Sequence, residues 1–178
     1  MGGARAWLLA YAQLAVARWA YLAGGAVRWR FAACGDNRWM RELPTGTVTM
    51  LFSDIEGSTA LLSRLGDRYA EALSAQRAIL RGAIGGSRGR ELGTEGDSFF
   101  VVFESAGDAV RCCVAAQRAL ASHEWPGGVM VRVRMGLHSG APARHEDGYV
   151  GMDVHRAARI AAAAHGGQVV LSEATASW

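Results

Sequence analysis

Thr47-Val-Thr-Met-Leu-Phe-Ser-Asp54-Ile-Glu-Gly-Ser-Thr59 is the stretch whose reading decides the fold. Thr47 to Phe52 is β-branched and apolar, which predicts a first, buried strand, and it runs straight into an acid. Gly57-Ser58-Thr59 then opens an amphipathic helix. An acid where a buried strand surfaces, beside a helix N-terminus with unpaired N–H groups, suits a divalent cation and a polyphosphate. The carboxylate takes the metal, while the N–H groups and helix dipole take the anion. A carboxylate there also serves as a helix cap, so a second acid has to decide between the two readings.

Downstream, Leu61, Leu62, Leu65, Tyr69, Leu73, Gln76, Leu80 and Ile84 recur at a three-four spacing, with Gly66-Asp67 dividing two helices and Gly85-Gly-Ser87 ending the second. Arg90–Thr94 and Ser98–Phe103 predict a hairpin around Glu95-Gly96-Asp97, and Phe99-Phe-Val-Val-Phe103, apolar on both faces, reads as a central strand. Ser105 caps a helix whose stripe is Ala109, Val110, Cys113, Val114, Gln117 and Leu120. After Pro126-Gly-Gly128, Val129, Val131, Val133, Met135 and Leu137 alternate with Met130, Arg132, Arg134 and Gly136, the pattern of a half-covered strand. Gly140 to Gly148 reads as a polar loop, Asp153–Ala164 as an Ala-rich helix and Gln168–Leu171 as a last strand, with Ser172 placed to cap a further helix.

This order predicts an α+β fold: a ferredoxin-like antiparallel sheet with helices packed on one face. A split β-α-β arrangement sets the first strand antiparallel to the third, so the C-terminal end of one lies beside the N-terminal end of the other. Asp54 and Asp97 converge as a result. Asp97 alone is ordinary hairpin-turn chemistry. Together the two carboxylates, with a backbone carbonyl such as that of Ile55, make a site for two Mg²⁺ or Mn²⁺ ions, hard cations that take oxygen ligands and keep waters for phosphates.

At 178 residues, 51% hydrophobic and 20% charged, the chain has room for one globular domain. All 19 basic residues are arginine, which with abundant Ala and Gly reflects a GC-rich genome. They are scattered without interleaved aromatics, so nucleic acid is not an expected partner. Cys34, Cys112 and Cys113 form neither a disulfide framework nor a metal cluster, and the adjacent pair reads as small buried hydrophobes in a reducing cytoplasm.

Residues 1–45 differ from the rest and are expected to be an N-terminal extension, leaving 46–178 as the domain. The apolar runs Ala6–Ala17 and Trp19–Val27 fall short of the about 18–20 residues that span a bilayer. Four Trp among several Arg suit an amphipathic segment in contact with a membrane surface. A start at Met40, just ahead of the first strand, is the other reading.

Leu51-Phe-Ser-Asp-Ile-Glu-Gly-Ser-Thr59, Thr94-Glu-Gly-Asp97-Ser-Phe-Phe, Met135-Gly-Leu-His-Ser-Gly140 and Gly148-Tyr-Val-Gly-Met-Asp-Val-His-Arg-Ala-Ala-Arg159 are colinear. Together they resemble the catalytic domain of class III adenylate/guanylate cyclases, and most of all the actinobacterial type fused to ATPase and regulator modules. The resemblance implies a head-to-tail homodimer with active sites at the interface and ATP or GTP as substrate. It implies metal binding by Asp54 and Asp97, a triphosphate seat at Gly57, Ser58 and Thr59, and Arg159 as the transition-state arginine supplied across the interface.

This chain departs from the pattern at the base end. The purine-selecting lysine is replaced by Gly93, its partner aspartate by Gly148, and the ribose-orienting asparagine by His155, which can still offer a hydrogen bond. His138 reads as structural, and His145 and His165 as loop residues. The family's domain also continues past the end of this chain. The expected activity is a nucleotide cyclase with weak base selectivity and ATP as the default substrate. The alternative is a cyclase-homology domain that binds nucleotide or dimerises without efficient turnover. A third, the ferredoxin-like enzymes that make signalling dinucleotides, carry a Gly-Gly-acid-acid-Phe hairpin, which Glu95-Gly-Asp97-Ser-Phe resembles less.

Overall fold

β1 (Val48–Ile55) runs three residues beyond Phe52, the end its apolar run predicts, and carries Asp54 inside its last turn of pleat. The structure, a computed structural model, describes residues 43–145 and 148–177. The expectations for Cys34, for a start at Met40 and for a membrane-surface segment lie outside the described residues. Among those described, no helix is long and apolar enough to cross a membrane.

After β1 come α1 (Ser58–Leu65), a 3-10 turn at Gly66–Arg68 and α2 (Tyr69–Gly86), which is the predicted division at Gly66-Asp67. β2 (Arg90–Glu95) and β3 (Ser98–Phe103) form the hairpin, and α3 (Ala106–Ser122) follows, its N-terminal Asp108 amide donating to Ser105 Oγ at 3.4 Å. β4 (Val133–Gly140) leads to a small hairpin of β5 (Ala143–His145) and β6 (Gly148–Val150). α4 (Met152–Ala163), β7 (Val169–Leu171) and α5 (Glu173–Ala176) complete the order, and Ser172 caps α5 as expected by accepting from the Thr175 amide.

The main sheet has the order β2-β3-β1-β4-β7. Its pairs are antiparallel except β4 with β7. β1 thus lies against β3, with Ser53 opposite Phe99, as the split arrangement requires. Alternation along the strands builds two cores. Leu51, Ile55, Phe99, Val101, Phe103, Val133, Met135 and Leu137 pack against α2 and α3. Val48, Met50, Phe52, Phe100 and Val102 face the other way, with Tyr149, Ala157 and Ala161 over them and Leu43 included. Phe52 and Phe100 stack there at 4.4 Å between centroids, and truncating either to alanine should cost about 3–5 kcal/mol.

The helices are therefore not all on one face. α2 and α3 are where the sheet pattern placed them, but α4 covers the opposite side. Gly136 is the physical reason. A Cβ there would lie 2.2 Å from the Ala161 amide nitrogen, so only glycine lets α4 come down onto β4. The same contact corrects the half-covered reading of this strand, since Gly136 and His138 on that side are both buried. The strand also starts at Val133 rather than Val129, because β1 ends opposite Val133 and leaves residues 129–132 no partner strand. Val129 and Val131 still point inward and are buried.

Smaller corrections follow the same logic. Val114 is exposed, and Cys112 and Ala116 take its place in the buried stripe of α3. His145 belongs to a strand of the β5–β6 hairpin rather than a loop. His165 does lie between elements. His138 bonds Ser172 Oγ at 2.8 Å and Asp153 at 3.3 Å, and so ties β4 to α4 and α5. The buried thiols of Cys112 and Cys113 are both free, as their place in a helix stripe implies.

Candidate active site

The open end of β1 brings three charged side chains together. Asp97, in the two-residue turn between Glu95 and Ser98, turns back to β1 and accepts the Ile55 amide proton on Oδ2 at 2.8 Å. Burial pushes the Asp97 carboxyl above its ordinary range, and the charge of Asp54 adds to that push. The Ile55 amide, and more weakly the Ser58 hydroxyl, pull against it. Two carboxylates far apart in sequence are thus electrostatic neighbours.

Asp54 has a partner that sequence reasoning missed. Arg134, opposite it in the β1–β4 register, grips both carboxylate oxygens, from Nη2 to Oδ2 at 2.9 Å and from Nε to Oδ1. Arg134 is held firmly protonated, chiefly by its bond to Asp54, with the charges of Asp54, Glu56 and Asp97 adding to the effect. The alternation at Arg132 and Arg134 was legible, but it pointed to solvent. What would have found Arg134 is the strand register, which sets it across from Asp54.

Two converging carboxylates are the oxygen donors that a hard divalent cation would take. Among the described residues no third His, Cys, Asp or Glu joins Asp54 and Asp97 in a metal-ligand group, and Glu56 lies 3.6 Å from His165 instead. Asp54 and Asp97 are the groups that would hold such a cation. Ile55 is drawn into the site by its amide, while its side chain lies in the core.

Gly57 caps α1 with φ 66°, and no acid stands in the first turn of that helix. Ser58, whose hydroxyl reaches Asp97, and Thr59 stand in the first turn of α1, where backbone N–H groups favour an anion. Gly93 and Gly148 are both buried, and they lie near one another through Leu92, whose Cδ1 would be 3.8 Å from a Cβ on Gly148. Leu92 sits at an irregularity between Glu91 and Gly93 in the β2–β3 ladder. Gly148 has φ 121°, which L side chains rarely adopt, so backbone as well as side chain departs from an aspartate site here. His155 and Arg159 lie on α4 and are exposed. The described residues do not bring them onto Asp54 or Asp97: neither side chain has a hydrogen bond or ion pair among those residues.

This sheet order and the helices around it are shared with solved adenylate cyclase structures. Residues 40–178 match the adenylate and guanylate cyclase catalytic domain family, and the chain belongs to it. An uncharacterized protein of Mycobacterium tuberculosis is 39% identical over 134 residues, covering 74% of this chain and 45% of that protein. The adenylate cyclase of Lachancea kluyveri is 32% identical over 154 residues, covering 72% of this chain and 8% of its own length. The chain thus spans less than half the length of these relatives. Among solved structures, a Trypanosoma brucei adenylate cyclase in its monomeric state superposes with a TM-score of 0.70 at 29% identity, covering 76% of this chain and 75% of that one. The guanylate cyclase domain of RhGC from Catenaria anguillulae, in complex with GTP, shares the fold with a TM-score of 0.65 at 21% identity, covering 74% of this chain and 81% of that one.

Proposed function

We propose that residues 46–178 convert a nucleoside triphosphate, ATP by default, into its 3′,5′-cyclic monophosphate and pyrophosphate, as a signalling enzyme of the cytoplasm. The reading rests on one observation: Asp97 folds back onto the Ile55 amide beside Asp54, so that two carboxylates share the mouth of β1. Family membership supports the reaction class.

In this reading Asp54, Asp97 and the Ile55 carbonyl would hold two Mg²⁺ or Mn²⁺ ions. Bound there, the ions would acidify the ribose 3′-hydroxyl and neutralise the triphosphate. The first-turn amides of Ser58 and Thr59, behind Gly57, hold phosphate oxygens. The 3′-oxygen bonds to the α-phosphorus as the bond to the bridging oxygen breaks, pyrophosphate leaves and the hydroxyl proton passes to water. Arg159 comes from a second copy in a head-to-tail homodimer and stabilises charge on the α-phosphate, a role its exposed position on α4 allows. His155 orients the ribose by a hydrogen bond. Gly93 and Gly148, with apolar Leu92 between them, offer the base no side-chain hydrogen bond, which favours weak discrimination between ATP and GTP.

The bare base end also favours a second reading, a domain that binds nucleotide or dimerises without efficient turnover. One assay separates them. The full chain is incubated with Mn²⁺ and ATP or GTP, and cyclic product is measured beside Asp54→Ala. Product that disappears in the variant supports the cyclase. Bound nucleotide without product supports the second reading, and product unaffected by Asp54→Ala overturns the site.

A further inference from the structure

Gln76 stands midway along α2 with its side chain wholly enclosed. Its Nε2 donates to the Asp97 carbonyl at 3.0 Å, while its Oε1 has no hydrogen-bond partner. The next residue, Arg77, donates from Nε to the Gly96 carbonyl at 3.1 Å, and its Nη2 reaches the same oxygen. α2 therefore grips both peptide carbonyls of the turn that carries Asp97. The carboxylate of that turn is in turn seated on the Ile55 amide at 2.8 Å.

The cost of this arrangement is what makes it informative. A fully buried acceptor without a partner is destabilising, and an apolar side chain of similar shape would remove it. The sheet face that α2 covers is lined by Leu51, Ile55, Phe99 and Val101, with Ser53 between them as the other described residue whose buried polar atom has no partner. The one hydrogen bond that the Gln76 side chain makes is to the backbone of Asp97.

We propose that Gln76, assisted by Arg77, is a positioning residue that holds the Asp97 carboxylate against β1 for metal binding. The inference rests on the cation-binding role given to Asp97 above. It is tested in the full chain with Gln76→Leu, Arg77→Met and Arg77→Lys, by three measurements. These are amide hydrogen exchange at Ile55 without metal or nucleotide, Mn²⁺ binding followed by electron paramagnetic resonance, and the thermal midpoint.

Gln76→Leu should keep the wild-type midpoint to within a few degrees, because it removes an orphan acceptor along with one bond. Its Ile55 amide should exchange about tenfold faster, and its Mn²⁺ affinity should fall by about tenfold, the usual consequence of losing support behind a metal ligand. Arg77→Met should move both readouts in the same direction by a smaller factor, and Arg77→Lys should restore part of the change. Folded Gln76→Leu with wild-type Ile55 exchange and wild-type Mn²⁺ affinity would overturn the proposal. If Gln76→Leu does not fold, unchanged Ile55 exchange in Arg77→Met overturns it equally. Faster Ile55 exchange in the variants, in a protein whose wild type binds no Mn²⁺, would uphold the clamp on the turn and refute the metal role of Asp97.

Discussion

Replacing Arg134 with glutamine separates the ion pair that Asp54 makes from the cation binding proposed for it. The pair is mostly enclosed, with 23% of the arginine side chain and 15% of the aspartate side chain exposed. Removing one partner of a fully buried pair costs about 3–5 kcal/mol, and partial exposure here reduces that to about 2 kcal/mol. For a domain of this size, that is a drop in thermal midpoint of roughly 6–8 °C. The same substitution removes a unit charge adjacent to two carboxylates. Such a charge is worth about 4 kcal/mol at 4 Å and an effective dielectric of 20, and solvent screening leaves about 1.5 kcal/mol, or tenfold in cation affinity. Melting curves at a series of Mn²⁺ concentrations read both effects. Without metal, Arg134→Gln should melt below wild type. Mn²⁺ should begin to raise its midpoint at about one tenth of the concentration needed for wild type, as expected when binding to the folded state alone stabilises it. If Mn²⁺ raises both midpoints with the same concentration dependence, the guanidinium and the cation do not share Asp54.

Other perturbations probe the frame around the site. Gly136→Ala places a Cβ 2.2 Å from the Ala161 nitrogen, so α4 must move by about 1 Å at a cost of about 1–3 kcal/mol. A urea midpoint equal to wild type would contradict the close contact. Asp108 is held below the usual carboxylate range, first by its hydrogen bond to Arg88 and then by Arg111, against the opposing effect of burial. Its folded pKa lies below its unfolded one, so it stabilises above about pH 4 and loses that contribution as the pH falls through the folded value. Asp108→Asn should therefore flatten the acid limb of stability against pH, and parallel limbs for the two proteins would refute the assignment. Burial pushes the Cys112 thiol up to about 11 and raises Cys113 as well. Peptide mapping after iodoacetamide at pH 8 should find both unmodified in native protein and both alkylated in urea, and native alkylation would contradict their burial.

Much of this fold is legible because strong local signals agree. The run from Thr47, the Glu95-Gly96-Asp97 turn and the three-four stripe from Leu61 to Ile84 each name their element. The handed split β-α-β connection then places β1 beside β3. The Asp54–Asp97 meeting follows from that adjacency alone. Arg134 was not legible because β1–β4 register is a tertiary fact: a one-residue slip would send it to the other face. The face taken by α4 was hidden for a related reason. Ala-rich segments have a shallow apolar period, and only the contact between Gly136 and Ala161 says which side is open. β5 was missed because all three of its residues are exposed and carry no buried alternation. The base end proposed at Gly93 and Gly148 is faint at both levels, since neither residue has a side chain to read.

Complementation tests the central claim most directly. Full-length Asp54→Ala and Arg159→Ala, each inactive alone, are mixed in equal amounts with Mn²⁺ and ATP. Half of the dimers that form are mixed, and each of those has one intact site out of two, so cyclic product should return at about one quarter of the wild-type rate. A mixture as inactive as its components would contradict a site that joins Asp54 and Asp97 of one copy to Arg159 of another.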